Sequence, residues 1–151
     1  AMGGQGPEAA REVAYVHLWA SADGETHLEE CAMGEMRERA YSNAPQRVRA
    51  EGLPGATGAV FTTLPGGFDN PWHPCPSPQW VVCLSGSWWV EASDGARREL
   101  RAGELLWQDN TAACPAAKVP RHYSGCGASG CAQMIVQAEA FQPTVDAPGP
   151  W

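Results

Sequence analysis

Almost every apolar run in this chain is a short strand closed by turn residues, and that pattern does most to limit the folds open to it. "AYVHLWAS" (14–21) is rich in aromatic and β-branched residues and is followed by the turn "ADGE". "THLEECAM" (26–33) reads as the return strand of that hairpin. "AVFTTL" (59–64) ends at "PGG", and "QWVVCLSG" (79–86) is a continuous apolar run of the kind buried on both faces. "SWWVEA" (87–92) and "ARREL" (96–100) flank Asp94-Gly95, the strongest short-range hairpin signal present. "ELLWQD" (104–109) and "AQMIVQAEAF" (132–141) complete the set. Only "MGEMRERAYSN" (33–43) reads as a helix, a short one, and 44–58 reads as a surface connection. Strands at this spacing point to an all-β sandwich or barrel with one or two short helices. A small barrel of this type encloses room for one small ligand.

The chain of 151 residues is expected to form a single domain over 1–151, with irregular tails at 1–12 and 143–151. A formal charge of −7 without a run of Lys or Arg argues against nucleic acid as a partner. No segment has the length and apolarity of a membrane helix. The opening residues "AMGGQGPEAAR" lack the apolar stretch of a secretory signal and leave a removed targeting peptide open. Six cysteines without a CxxC pair suggest neither a disulfide scaffold nor a zinc knuckle. They fit free thiols in the cytoplasm or another reducing compartment, although Cys126 and Cys131 could pair across a glycine-rich loop.

The chemistry-bearing residues lie in two spaced motifs. The first runs Gly67, "FDNPW", His73, Pro74, Cys75, "PSP", Gln79, "WVVCLS", Gly86. The second runs Gly95, "ARREL", Arg101, Ala102, Gly103, "EL", Leu106, "WQD", Asn110. Both match the spacing of the two cupin motifs, and the chain resembles the small single-domain cupins. The first motif carries Cys75 at the second histidine position and Gln79 at the glutamate position. The second carries Arg101 at the proline position and Leu106 at the last metal histidine. The resemblance therefore implies a jelly-roll β-barrel, often a homodimer, with a degenerate metal site. It places His73, Cys75 and Gln79 at alternate positions of one strand, sharing the inward face, with Leu106 approaching from a neighbour. His122 is the nearest candidate for a further histidine, beyond an apparent insertion "ACPAAKVP".

The leading functional reading is a small-molecule enzyme without a cofactor, of isomerase, cyclase or lyase class. It would use metal-independent acid–base chemistry in an aromatic-lined cavity. His73 is the base, since imidazole exchanges a proton near neutral pH; Tyr123 is the acid and Gln79 orients the substrate. Trp72, Cys75, Trp80, Trp88, Trp107 and His122 are the expected ligand contacts. A second reading holds a divalent metal (Fe, Zn, Ni or Mn) on His73, Cys75 and Gln79, for oxygenase-like or hydrolytic chemistry. A third is a non-catalytic small-ligand module. Trp88 and Trp89, being adjacent in a strand, must face opposite sides. His17 and His27 read as surface or interface residues. Gln108, Asp109 and Asn110 are either polar pocket groups or a self-satisfied turn.

Overall fold

The computed structural model of the protein describes residues 12–151, and those residues contain ten strands and no helix. In chain order they are β1 (Ala14–Ala20), β2 (Thr26–Ala32), β3 (Arg37–Arg39), β4 (Gln46–Val48) and β5 (Gly58–Leu64), then β6 (Asp69–His73), β7 (Gln79–Ala92), β8 (Arg97–Arg101), β9 (Leu105–Gln108) and β10 (His122–Gln137). Eight of them share one sheet along the path β2-β1-β9-β7-β10-β5, with β8 added to β7 and β6 added to β10. The all-β architecture is the expected one. A closed barrel is not formed, because the hydrogen-bonded path starts at β2 and ends at β5 with no ladder joining those edges. No helix among the described residues is long and apolar enough to cross a membrane.

The two long strands hold the structure together. β7 pairs with β9 along its first half and β8 along its second, and β10 runs antiparallel beside it throughout. Both strands break register around Gly86 and Gly130. Gly86 has φ of 68°, and a Cβ there would sit 2.2 Å from the Gly130 carbonyl oxygen, so only glycine lets the chains cross this closely.

Two expectations fail for physical reasons. The helix over 33–43 is absent: β3 pairs with β4 instead, Arg37 opposite Val48 and Arg39 opposite Gln46. That stretch has no apolar stripe to bury, and a short helix without tertiary packing does not hold. Arg47 and Arg49 secure the alternative by donating to the Met36 and Gly34 carbonyls. Second, β10 begins at His122, ten residues before the strand read from the sequence, because "SGCGASG" reads as a loop. Gly125 is there for clearance: a Cβ would lie 2.5 Å from the Trp89 ring and 2.7 Å from the Phe68 carbonyl oxygen. The expected strands 79–86 and 87–92 are one continuous β7, and Trp72 and His73 lie on a separate short strand, β6, that the residue pattern alone did not mark.

Alternation along β7 and β9 divides the core. Val81, Cys83, Trp88 and Val90 join Val16, Leu18, Leu100 and Leu106 in an inner cluster. Trp107 and Tyr15 form an outer cluster with the half-buried Trp80, Phe141 and Trp151. Residues 143–151 carry no strand, as expected, yet they are anchored. Gly149 N–H donates to His17 Nδ1 at 3.0 Å, and Tyr15 Oη donates to the Trp151 carbonyl at 3.1 Å. Of the terminal segment 1–12, residues 1–11 lie outside the described residues.

Candidate functional site

Where β6 and β7 meet β10, the inner face opens into a cavity of about 210 Å³. His73, His122, Gln79, Gln108, Gln133 and Asn70 supply its polar wall, and Phe68, Val81, Trp88 and Ile135 its apolar wall. Strand pairing brings these groups together: His122 lies opposite His73, and Gln79 opposite Gln108. Among the described residues no Asp, Glu, Lys or Arg lines the cavity. An uncharged polar molecule suits such a wall, because a charge buried here would lack a partner.

The two imidazoles are 4.3 Å apart between ring centroids, and their neighbours fix opposite tautomers. Asn110 Nδ2 is 3.3 Å from the Pro120 carbonyl oxygen and 2.9 Å from His122 Nδ1, so the amide donates to both. His122 Nδ1 is therefore an acceptor, and the proton of the neutral ring is on Nε2. His73 Nδ1 lies 2.7 Å from the Pro71 carbonyl oxygen and must donate to it. In neutral His73 the lone pair is then on Nε2, met only by a long 3.3 Å contact from the Asn70 amide. Burial, with the charge of His73 second, pushes His122 down to about 3, so this ring stays neutral at any ordinary pH.

The opposing amides are underused. Gln79 is 3% exposed and Gln108 5%, and the Oε1 of each lacks a hydrogen-bond partner among the described residues. A buried amide oxygen without a partner costs about 1–3 kcal/mol. Whichever way each amide is turned, the pair offers acceptors and donors for a polar ligand.

Of the residues singled out in the sequence, His73, Gln79, Trp88 and His122 line the cavity. The others point elsewhere. Tyr123 follows His122 on β10 and faces outward, stacking on Trp89 and donating from its hydroxyl to Asp69, so the expected acid is on the wrong side of the sheet. Trp72 is outside for the same reason, 43% exposed and edge-on to Tyr123. Trp80 and Trp107 belong to the outer cluster, which leaves Trp88 as the one tryptophan in a wall shared with four amides where a wider aromatic lining was expected. His73, Cys75 and Gln79 do not share a strand: His73 ends β6, Gln79 starts β7, and the prolines at 74, 76 and 78 break the ladder between them. Cys75 instead bridges to Thr111 and is buried near Asp109 and Cys114. Leu106 is core. Trp88 and Trp89 do face opposite sides.

Asn70, Ser124 and Gln133 are lining residues that the sequence reading missed. Gln133 was legible in principle, as the one amide flanked by apolar residues in "AQMIV". Asn70 depends on a strand hidden by Pro71, and Ser124 on one hidden by glycines. His17, read as a surface residue, is 1% exposed and holds Asp109 Oδ1 at 2.9 Å from Nε2. Its Nδ1 accepts from Gly149, so Nε2–H is the donor to Asp109. His27, also read as surface, is only half-buried, stacked on Trp19 and set between Ser21 Oγ (2.8 Å) and Asp94 Oδ2 (3.0 Å). This resembles a nucleophile triad in outline only. Ser21 Oγ donates its proton to Asp23, whose carboxyl is held below the usual range by that bond, so the hydroxyl is turned away from the imidazole it would need as a base.

The metal set His73, Cys75 and Gln79 does not fit iron, zinc, nickel or manganese. Cys75 is turned away, and burial holds its thiol well above the usual cysteine range, so no thiolate is on offer. Among the described residues no three His, Cys, Asp or Glu side chains converge. Two neutral imidazoles with amides lack the anionic ligand that such ions favour. All six cysteines are thiols, so Cys126 and Cys131 are not joined: Cys131 Sγ is 3.6 Å from Cys83 Sγ, and Cys126 donates to the Pro65 carbonyl.

No family model matches the chain, and no curated protein matches it. Solved structures with a similar strand arrangement include a cupin-2 domain containing protein from Shewanella frigidimarina, at 15% identity and TM-score 0.40 over 60% of this chain and 84% of that one. A Neisseria meningitidis protein matches at 18% identity and TM-score 0.40 over 60% of this chain and 87% of its own. A conserved Streptococcus pyogenes protein of unknown function matches at 16% identity and TM-score 0.42, over 74% and 80%. At such scores the likeness says nothing about chemistry.

Proposed function

We propose that the inner cavity takes a small, uncharged carbonyl compound and moves a proton at the carbon beside the carbonyl, without a metal. The observation that carries this reading is the pair of oppositely fixed imidazoles: an acceptor nitrogen on His73 beside a donor nitrogen on His122. His73 Nε2 takes the proton from carbon. The electron pair moves onto the carbonyl oxygen, where the Nε2–H of His122 stabilises the developing charge as a neutral donor. Return of the proton to a different carbon completes an isomerisation; loss of a substituent from the next carbon completes an elimination. Gln79 and Gln108 hold the remaining polar groups of the substrate. A space of 210 Å³ equals about seven water volumes, so the substrate is small, with roughly ten non-hydrogen atoms at most.

The test is hydrogen–deuterium exchange. A panel of small aldehydes, ketones and amides in D2O is followed by NMR with wild type and with His73→Ala. Exchange at the carbon next to a carbonyl, absent with His73→Ala, is the expected result. Binding with no exchange for any compound would favour a second reading, a non-catalytic module. The unpartnered Gln79 and Gln108 amides support that reading equally.

A further inference from the structure

The same strand ends that turn His73 and His122 inward turn Trp72 and Arg121 outward, and there they border a separate groove. It has a volume of about 470 Å³ and is lined by Trp72, Val119, Lys118 and Arg121, with Gly24 and Ser93 at its side. We propose that this groove binds a small planar carboxylate, with the ring on Trp72 and Val119 and the charge on Arg121.

Three observations support it. Trp72 is 43% exposed and Val119 40%, whereas each of the other six tryptophans is buried or half-buried. The platform is braced: Trp72 stands edge-on to Tyr123 at 5.7 Å, and Tyr123 is tied to Asp69. Second, Arg121 has no acidic partner among the described residues, in a chain of net charge −7. Lys118, by contrast, is already paired with Glu25. Among the described residues the groove thus offers one guanidinium without an acidic partner, and its two parallel N–H donors match a carboxylate. A polyphosphate or nucleic acid would need more.

Third, the loop that carries both cations is pinned along its length. Ala117 N–H donates to the Ala22 carbonyl at 2.8 Å, Asn110 holds the Pro120 carbonyl, and Thr26 Oγ1 donates to the Arg121 carbonyl at 2.8 Å. The apparent insertion "ACPAAKVP" is therefore the wall of a preformed site and requires little ordering on binding.

The experiment titrates 2-naphthoate into the protein by calorimetry, with the indole N–H of Trp72 followed by NMR. The proposal expects saturable binding, a shift of the Trp72 signal, and affinity roughly tenfold or more weaker in Arg121→Gln, an exposed position that leaves the fold intact. Trp72→Ala weakens binding likewise, 2-naphthylmethanol binds far less tightly, and His73→Ala changes nothing. Absence of saturable binding, an Arg121→Gln variant that binds as well as wild type, or loss of binding in His73→Ala would each overturn the proposal. The last outcome would put the ligand in the inner cavity.

Discussion

Two pairs of neighbouring residues on β7 and β9 meet opposite fates. Gln79 and Gln108 face each other across the inner side, and one residue along each strand Trp80 and Trp107 face each other across the outer side. The outer pair is filled in: Trp107 is in edge contact with both Phe141 and Trp151, and tilted on Trp80 at 5.0 Å. The inner pair borders an open cavity and carries amide oxygens with nothing to accept from. The outer side also has unpartnered indole N–H groups on Trp107 and Trp151, so hydrogen-bond satisfaction does not separate the two faces. Space does. One face is packed to hold the fold, and the other keeps polar groups apart at some cost in stability, which is what a ligand site requires.

The comparison can be broken most forcefully at Trp107, which is fully buried. Trp107→Ala is expected to lower unfolding stability by about 4 kcal/mol in a urea titration. A loss under ~1 kcal/mol would mean the outer face is not the packed one. Acid should act next, and through the inner face. His122 is held near 3, below its ordinary value of about 6.5, so the unfolded chain takes up the proton first. Its contribution is complete above about pH 6.5 and is lost as pH falls toward 3, on the order of 3 kcal/mol between pH 7 and 4. Parallel titrations of His122→Phe should lack that share of the slope.

Removing residues 149–151 takes away the Trp151 cover and the Gly149 bond to His17, and should cost about 2 kcal/mol by thermal unfolding. The cavity, and the exchange proposed for it, should survive, since none of these residues lines it. The smallest effect is expected at Gln79→Leu: within ~1 kcal/mol of wild type, or slightly more stable, because the change removes an unpartnered buried amide. The same variant should lose ligand affinity. A large destabilisation instead would show that Gln79 is structural.

Strand positions were readable because β-branched and aromatic runs between turn residues leave few alternatives, and the Asp94-Gly95 hairpin forms as its dipeptide dictates. Four residues singled out in the sequence line the cavity: His73 and Gln79 were legible from motif spacing, Trp88 as an expected aromatic contact and His122 as the nearest further histidine. The facing of Trp80, Trp107 and Tyr123 was not. Period-2 alternation says that neighbours face apart, but it does not say which face is the cavity when both are apolar. The C-terminal segment decides the matter by capping one face, and "QPTVDAPGPW" gives no sign of that beyond its terminal tryptophan. Nor could a sequence show that Pro74, Pro76 and Pro78 would turn Cys75 away from His73, or that a glycine-rich stretch would extend β10 back to His122.

The most direct test of the central claim is the protonation state of the two cavity imidazoles, read by long-range 1H–15N correlation at neutral pH and assigned with His73→Gln. The account predicts a proton on Nδ1 and a bare Nε2 in His73, with the reverse in His122 and no second proton there down to about pH 4. The same tautomer in both rings, or a doubly protonated His122 at neutral pH, would contradict it.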